Sequence, residues 1–105
     1  MPEHESRTAP HFLAHHDGDH VAVAVQDVSP GPATVVVLHG HQSRTVDVRD
    51  PIPLGHKVAL TELAEGAEVI EYGVRVAVTS EPVPAGGYVH THNVRSARWQ
   101  TSVAR

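Results

Sequence analysis

The chain has no cysteine, which removes disulfide scaffolds, thiolate catalysis, iron–sulfur ligation and thiolate zinc sites together. Any metal would have to be held by His, Asp, Glu or backbone oxygen. Aromatic residues are scarce, with one Trp, one Phe and two Tyr, so the core has to be assembled from Val, Ala, Leu and Ile, which suit pleated sheets better than helix bundles. Positive charge is not in excess: 8 Lys and Arg face 12 Asp and Glu, a formal charge of −4 with histidine neutral. Nucleic-acid binders concentrate basic residues, so no nucleic-acid partner is expected. No apolar run approaches the ~18 residues of a membrane span, and the start "MPEHESRTAPH" lacks the charged-then-apolar layout of a signal peptide. The expectation is a cytoplasmic protein with no membrane contact.

What is present fits one small domain. A chain of 105 residues has no room for a second core. Residues 1–11 are polar with Pro2 and Pro10 and read as a flexible arm. The domain is expected over 12–99 and a short tail over 100–105. The segments "VAVAV" (21–25), "TVVVL" (34–38), "TVDV" (45–48), "KVAL" (57–60), "EVIEY" (68–72), "VRVAVT" (74–79) and "YVHTHNV" (88–94) are short, β-branched and bounded by Gly or Pro, which is the pattern of many short strands. A helical period is hinted at only around 58–65 and is not sustained. The fold class is therefore all-β.

A turn repeats along the chain. "VSPGPAT" at 28, "IPLGHKV" at 52, "LAEGAEV" at 63 and "VPAGGYV" at 83 all read apolar–x–x–Gly–x–x–apolar, with Thr34 the one polar closer. An apolar anchor drops into the core, the chain bends at a Gly able to take positive φ, and the next strand begins. The spacing of the copies is irregular, which excludes a stacked solenoid and favours a compact folded-over β structure.

The ten histidines are the chemical resource. His90 and His92 stand at i and i+2, so on a strand they project from one face while Thr91 points the other way. Two neutral imidazoles on one face suit Fe(II), Zn(II) or Mn(II) if a third ligand arrives from elsewhere, and Asn93 is placed to orient one ring. The alternative is an ordinary exposed pair. In "HHDGDH" (15–20), His15, His16, Asp17, Asp19 and His20 crowd around Gly18; the loop is either a third-ligand donor or a solvated polar turn. His39 and His41 flank Gly40 and read as hairpin-turn residues. In "GHK", Lys57 can bind a carboxylate as a point charge and His56 can move a proton near neutral pH; the alternative is an exposed cationic pair. Trp99, beside Arg95 and Arg98, is a packing anchor or a docking residue.

Taken in order, "HDGDHVAVAVQDV", "IPLGHKVALTELAEGAEVIEYG" and "GGYVHTHNVRSARW" resemble the small SAF-type domain of the altronate and galactarate dehydratase family over residues 12–99. The resemblance implies a β-clip fold. In that family the domain is either the first piece of a long sugar-acid dehydratase or a separate small subunit. This chain stops after the domain, and its ending "HNVRSARW" is similar to the small (alpha) subunit of sulfolactate sulfo-lyase, while small subunits of altronate dehydratase share nearly all other features. One departure is that "VRVAVTSEP" has no Gly between Gly73 and Gly86 where the family has one soon after "YG".

The resemblance implies a Fe(II)-assisted elimination on a 2-hydroxy or 2,3-dihydroxy acid, with a large lyase subunit as partner and no activity without it; Mn(II) and Zn(II) are the alternative metals. Carried over position by position, it implies His56 and Lys57 as catalytic residues, Lys57 and Asn93 as substrate-binding residues, and His16, His90 and His92 as metal ligands. His16 is assigned from a motif that His15 also satisfies, with Asp19 its acid. A second expectation is a non-catalytic β-clip module that binds a sugar acid or a protein partner, and a third is a domain that only orders its large subunit.

Overall fold

The computed structural model describes residues 9–39 and 42–96. These residues form β1 (Phe12–Ala14), β2 (Val21–Ala24), β3 (Gly31–Val37), β4 (Ser43–Val48), β5 (Lys57–Ala59), β6 (Glu68–Glu71), β7 (Val74–Thr79), β8 (Tyr88–Val89) and β9 (Val94–Ser96). The all-β expectation holds, and the described residues contain no helix, including at 58–65. No helix among them is long and apolar enough to cross a membrane. The strands make two sheets, one in the order β4-β3-β1-β2-β5-β8 and one in the order β6-β7-β9. All pairings are antiparallel except β1 with β3. The expected arm and tail fall largely on residues 1–8 and 97–105, outside the described residues, as do Trp99, Gly40 and His41. His11 is tied in, because its Nδ1 accepts the N–H of Thr34 and its carbonyl accepts the N–H of Val25.

The repeated turn organises this topology. All four glycines of the repeat have positive φ: Gly31 129°, Gly55 86°, Gly66 80° and Gly86 86°. In the last three copies the same hydrogen bond closes a four-residue turn, from His56 N–H to Pro53 O, Ala67 N–H to Ala64 O and Gly87 N–H to Pro84 O. With φ near +80° at the third position these are type II turns, where Gly is the residue that fits. The first copy cannot make the equivalent bond, since Pro32 has no N–H. The anchors Val28, Ile52, Leu63 and Val83 are all buried. They pair as two isolated bridges, Val28 with Ile52 and Leu63 with Val83, each closed by reciprocal N–H to O bonds. The irregular spacing in sequence therefore becomes pairwise order in space.

Side chains divide into two clusters. One is centred on Phe12, Val35, Val37, Ile52 and Val58 inside the larger sheet. The other, with Val21, Ala59, Leu63, Val69, Ala77, Val83 and Val89, lies where β2, β5 and β8 meet β6 and β7. Apolar burial at roughly 25 cal/mol per Å² is the main force holding both. β7 forms without the glycine expected near its start. It carries a β-bulge instead: Val69 pairs with Ala77 but Ile70 with Arg75, so Val76 is the extra residue. A bulge re-aims a side chain, and here Val76 joins Ala77 against the cleft described below.

The expected strand over 88–94 is shorter. Strand pairing ends at Val89, residues 91–93 form a turn, and β9 begins at Val94. Asn93 causes this by taking the N–H of His90 on Oδ1 at 3.0 Å and donating Nδ2 to the Tyr88 carbonyl at 2.7 Å. A short polar side chain that bonds its own backbone competes with ladder pairing. His90 and His92 are therefore carried by a loop and do not project from one strand face.

Gly86 is the tightest of the four turn glycines. A Cβ there would lie 1.9 Å from the carbonyl oxygen of Asp47, whereas at Gly66 nothing stands within 4 Å. Gly66→Ala is expected to cost about 1–2 kcal/mol from the left-handed backbone alone. Gly86→Ala adds overpacking against β4 and is expected to cost at least about 3 kcal/mol, measured by urea unfolding of both variants beside the parent chain.

Candidate functional site

Three copies of the turn deliver three sides of one cleft. Gly55 is followed by His56 and by Lys57 at the start of β5, Gly86 by Tyr88 and Val89 of β8 and then by His90, and Gly66 by β6, which ends on Glu71. In the β5–β8 register Lys57 faces Val89 and Val58 faces Tyr88, so His56 and His90 fall beside each other. Their ring centroids are 4.7 Å apart. The cleft between the sheets has a volume of about 370 Å³, with Val21, Val69, Val76, Val89 and Val94 as apolar walls and His56, Lys57, Glu71 and His90 as its charged and titratable groups.

Glu71 is a cleft residue that sequence reading missed. It is buried, and its Oε1 lies 3.7 Å from Lys57 Nζ, with the Lys57 side chain 40% exposed and that of Glu71 6%. Burial pushes the Glu71 carboxyl above the ordinary glutamate value of 4.5, and the Asp19 charge adds to this, while Lys57 and His15 oppose it. The available signal was "VIEYG", an acid alternating with Val69 on a strand whose other inward residues are apolar. An acid on the core side of a strand is rare unless partnered.

Glu71 owes its place to Asp19. The next two residues, Tyr72 and Gly73, have φ of 60° and 74° and make the tight β6–β7 turn. Tyrosine is strained there, and the Asp19 carboxylate offsets the strain. It accepts the N–H of Tyr72 at 3.0 Å, of Gly73 at 3.1 Å and of His16 at 3.2 Å. Burial alone would raise the Asp19 pKa, but these three donors and the nearby His16 hold it below 3.8. Asp19, matched in the sequence as the acid of a functional motif, is thus the clamp on the hairpin tip.

The remaining expected site residues fall into two groups. His56, Lys57 and His90 share the cleft. His92 is close by: the ring of Tyr88 lies 5.5 Å from that of His90 and 5.5 Å from that of His92. Asn93 is buried with both ends of its amide committed to its own loop, so it shapes the loop instead of facing the cleft. His15 and His16 stand at the hairpin tip, His15 stacked on Tyr72 at 3.9 Å and His16 on His39 at 4.6 Å. His16 Nδ1 is buried without a hydrogen-bond partner.

This arrangement does not make a metal centre from the described residues. His16 stacks with His39, whereas His90 and His92 flank Tyr88. Among the described residues no three or more His, Asp or Glu side chains are grouped to hold an ion. A divalent metal usually takes three or more protein ligands, so the expected set of His16, His90 and His92 does not fit as placed. The chemistry below runs through the protein's own side chains.

With this geometry in view, the class is defined. The family model for the altronate/galactarate dehydratase SAF domain matches residues 10–97. The chain belongs to this family. It is 38% identical over 85 residues to altronate dehydratase of Escherichia coli K12, covering 81% of this chain and 16% of that protein. It is 37% identical over 90 residues to the alpha subunit of (2R)-sulfolactate sulfo-lyase from Chromohalobacter salexigens, covering 84% of this chain and 96% of that subunit. A second alpha subunit of that lyase, from Paracoccus pantotrophus, is 38% identical over 64 residues. The chain therefore spans about a sixth of the dehydratase and nearly the whole of the Chromohalobacter alpha subunit.

Two pH effects follow. Asp19 has a lowered folded pKa, so its stabilisation is complete above 3.8 and is lost as pH falls through the lower folded value. Asp19→Asn is expected to cost about 2 kcal/mol at pH 7, the scale of hydrogen bonds to a charged group, and the gap to the parent should close below pH 3.8. Glu71 is the opposite case. Its raised pKa favours the fold below 4.5 and disfavours it as pH rises through the folded value, so Glu71→Gln should flatten the decline in melting temperature above pH 4.5. Thermal melts from pH 2.5 to 8 check both.

Proposed function

We propose that this chain is the small subunit of a two-subunit cytoplasmic lyase, and that its cleft contributes to β-elimination from a small hydroxy acid. The observation that carries this is the meeting of His56, Lys57, Glu71 and His90 on one cleft about 370 Å³ in volume. A single carboxylate-bearing molecule of a few carbons fits such a space. Membership of the family and the names of the relatives support the reaction class, and the near-complete span of an alpha subunit supports a separate larger partner.

Elimination needs the proton α to the carboxylate removed, the C–H electron pair turned into the C=C bond, and the β group released, as water after gaining a proton or as sulfite. Charge that develops on the carboxylate side has to be stabilised at the same time. The half-exposed Lys57 ammonium suits that role as a point charge. His56 and His90, imidazoles with ring centroids 4.7 Å apart, suit the proton transfers. Glu71 lies 3.7 Å from Lys57 and balances its charge. The described residues do not group three ligands of their own, so a divalent ion such as Fe(II), Mn(II) or Zn(II) would draw ligands from the larger partner.

The test is turnover by this chain mixed with its larger subunit, with altronate and (2R)-sulfolactate as substrates and 2-oxo acid formation as the readout. His56→Ala, Lys57→Ala and His90→Ala should each lower kcat at least about 100-fold, the usual scale for a lost acid–base group, with melting temperatures near that of the parent. A β-clip module that binds a sugar acid or a partner without chemistry predicts altered affinity and unchanged kcat. Full turnover by the isolated chain, or wild-type rates from all three variants, would refute the small-subunit lyase.

A further inference from the structure

Tyr88 is not among the residues expected from the sequence, yet it touches every imidazole around the cleft. Its backbone is fixed on both sides, its N–H bonded to Asp50 Oδ2 at 3.1 Å and its carbonyl to Asn93 Nδ2 at 2.7 Å. Its ring is half-buried and packs against the larger core cluster. One ring face lies parallel to His90 within 5°, and His92 is tilted against it at 49°. The hydroxyl is 2.5 Å from Nδ1 of His56. A side chain held at both backbone ends and wedged against the core has little freedom, so it can fix the ring it touches.

The direction of that hydrogen bond decides what His56 can do. Phenol is the stronger acid, with an ordinary pKa near 10, while a neutral imidazole N–H is far weaker and the imidazole lone pair is a better base than the phenolic oxygen. The stronger arrangement is O–H donating to nitrogen. A neutral imidazole has one donor and one acceptor nitrogen, so occupying Nδ1 as the acceptor places the ring hydrogen on Nε2.

We infer that Tyr88 is a positioning residue: it donates its phenolic hydrogen to Nδ1 of His56 and so presents the Nε2–H of neutral His56 to the cleft as hydrogen-bond donor and proton donor. The tautomer is a property of the chain by itself. The acid role rests on the lyase reading above and assigns His56 the step in which the leaving oxygen gains its proton: the Nε2–H bond breaks and the O–H bond forms while the Tyr88 phenolic proton passes to Nδ1, so that His56 stays neutral and Tyr88 is left as a phenolate that regains its proton from solvent before the following turnover. When sulfite leaves, the same N–H donates a hydrogen bond to the departing sulfonate.

The experiment is long-range ¹H–¹⁵N NMR of the histidine rings in uniformly labelled full-length chain at pH 8, where unperturbed imidazoles are neutral. The parent chain should show His56 with a pyridine-like Nδ1 and a pyrrole-like Nε2. Tyr88→Phe keeps the packed ring and removes only the hydroxyl, and it should move both His56 nitrogen signals toward tautomer averaging. A pyrrole-like Nδ1 in the parent, or unchanged His56 signals in the variant, overturns the inference, and the parent spectrum decides even if the variant fails to fold. With the larger subunit present, Tyr88→Phe should lower kcat roughly tenfold with KM within about twofold, the mark of an interaction used in the transition state. If the tautomer is as stated but His56→Ala alone retains full turnover, the acid role falls while the positioning contact and the lyase reading stand.

Discussion

The left-handed glycine after a buried anchor is the constraint on which the rest of this structure depends. At Gly55, Gly66 and Gly86 the glycine N–H donates to the carbonyl of Ala24, Thr79 and Ala59 in turn, and the N–H of those same residues donates to the carbonyl just past the glycine. Each turn is thereby bonded across to another strand, and the anchors close in pairs beneath. No long strand or helix is needed to hold so small a chain. The same device explains the position of the cleft, because each of these three turns launches a strand that brings a polar residue to it. His56 follows the second turn directly, Tyr88 and His90 follow the fourth, and Glu71 ends the strand launched by the third. Scaffold and site are products of one local geometry.

Two carboxylates with opposed environments then set the electrostatics. Asp19 is buried among backbone donors and is held ionised, which keeps the Tyr72–Gly73 turn in its strained conformation. Glu71, one residue before that turn, is buried beside Lys57, and burial wins over the attraction of Lys57 and His15. The first acid is architecture and the second belongs to the cleft. A buried carboxylate set against a half-exposed ammonium is weak evidence for stability, but it holds the Lys57 ammonium beside the cleft.

Much of this was readable in the sequence. The strands 45–48, 57–60 and 74–79 were legible from β-branched runs, and the four turns from their glycine spacing, because both signals are local. β1 was missed since "FLA" is too short to show alternation, and its pairing with β2 and β3 is a long-range fact. The loop at 90–93 was taken for strand because Thr and Val favour sheets, whereas the outcome was set by a single buried amide, Asn93, closing onto its own backbone. Of the site, His56, Lys57 and His90 were named and do meet. Glu71 and Tyr88 were not, since what makes them notable is burial and a partner 14 or 32 residues away. His16 was expected beside His90 and His92 and stands with His39 instead, at a loop whose direction is decided by the Asp19 clamp.

The central claim is that the cleft between the two sheets is completed by a larger protein chain and occupied by a small acid. A structure of this chain bound to its larger subunit, with altronate or (2R)-sulfolactate present, tests it most directly. The account predicts the mouth bearing His56, Lys57 and His90 turned into the shared interface, with a ligand carboxylate beside Lys57 Nζ and an oxygen of the ligand within hydrogen-bond reach of His56 Nε2. A cleft open to bulk solvent on the side away from the partner, with the acid bound elsewhere, would contradict it.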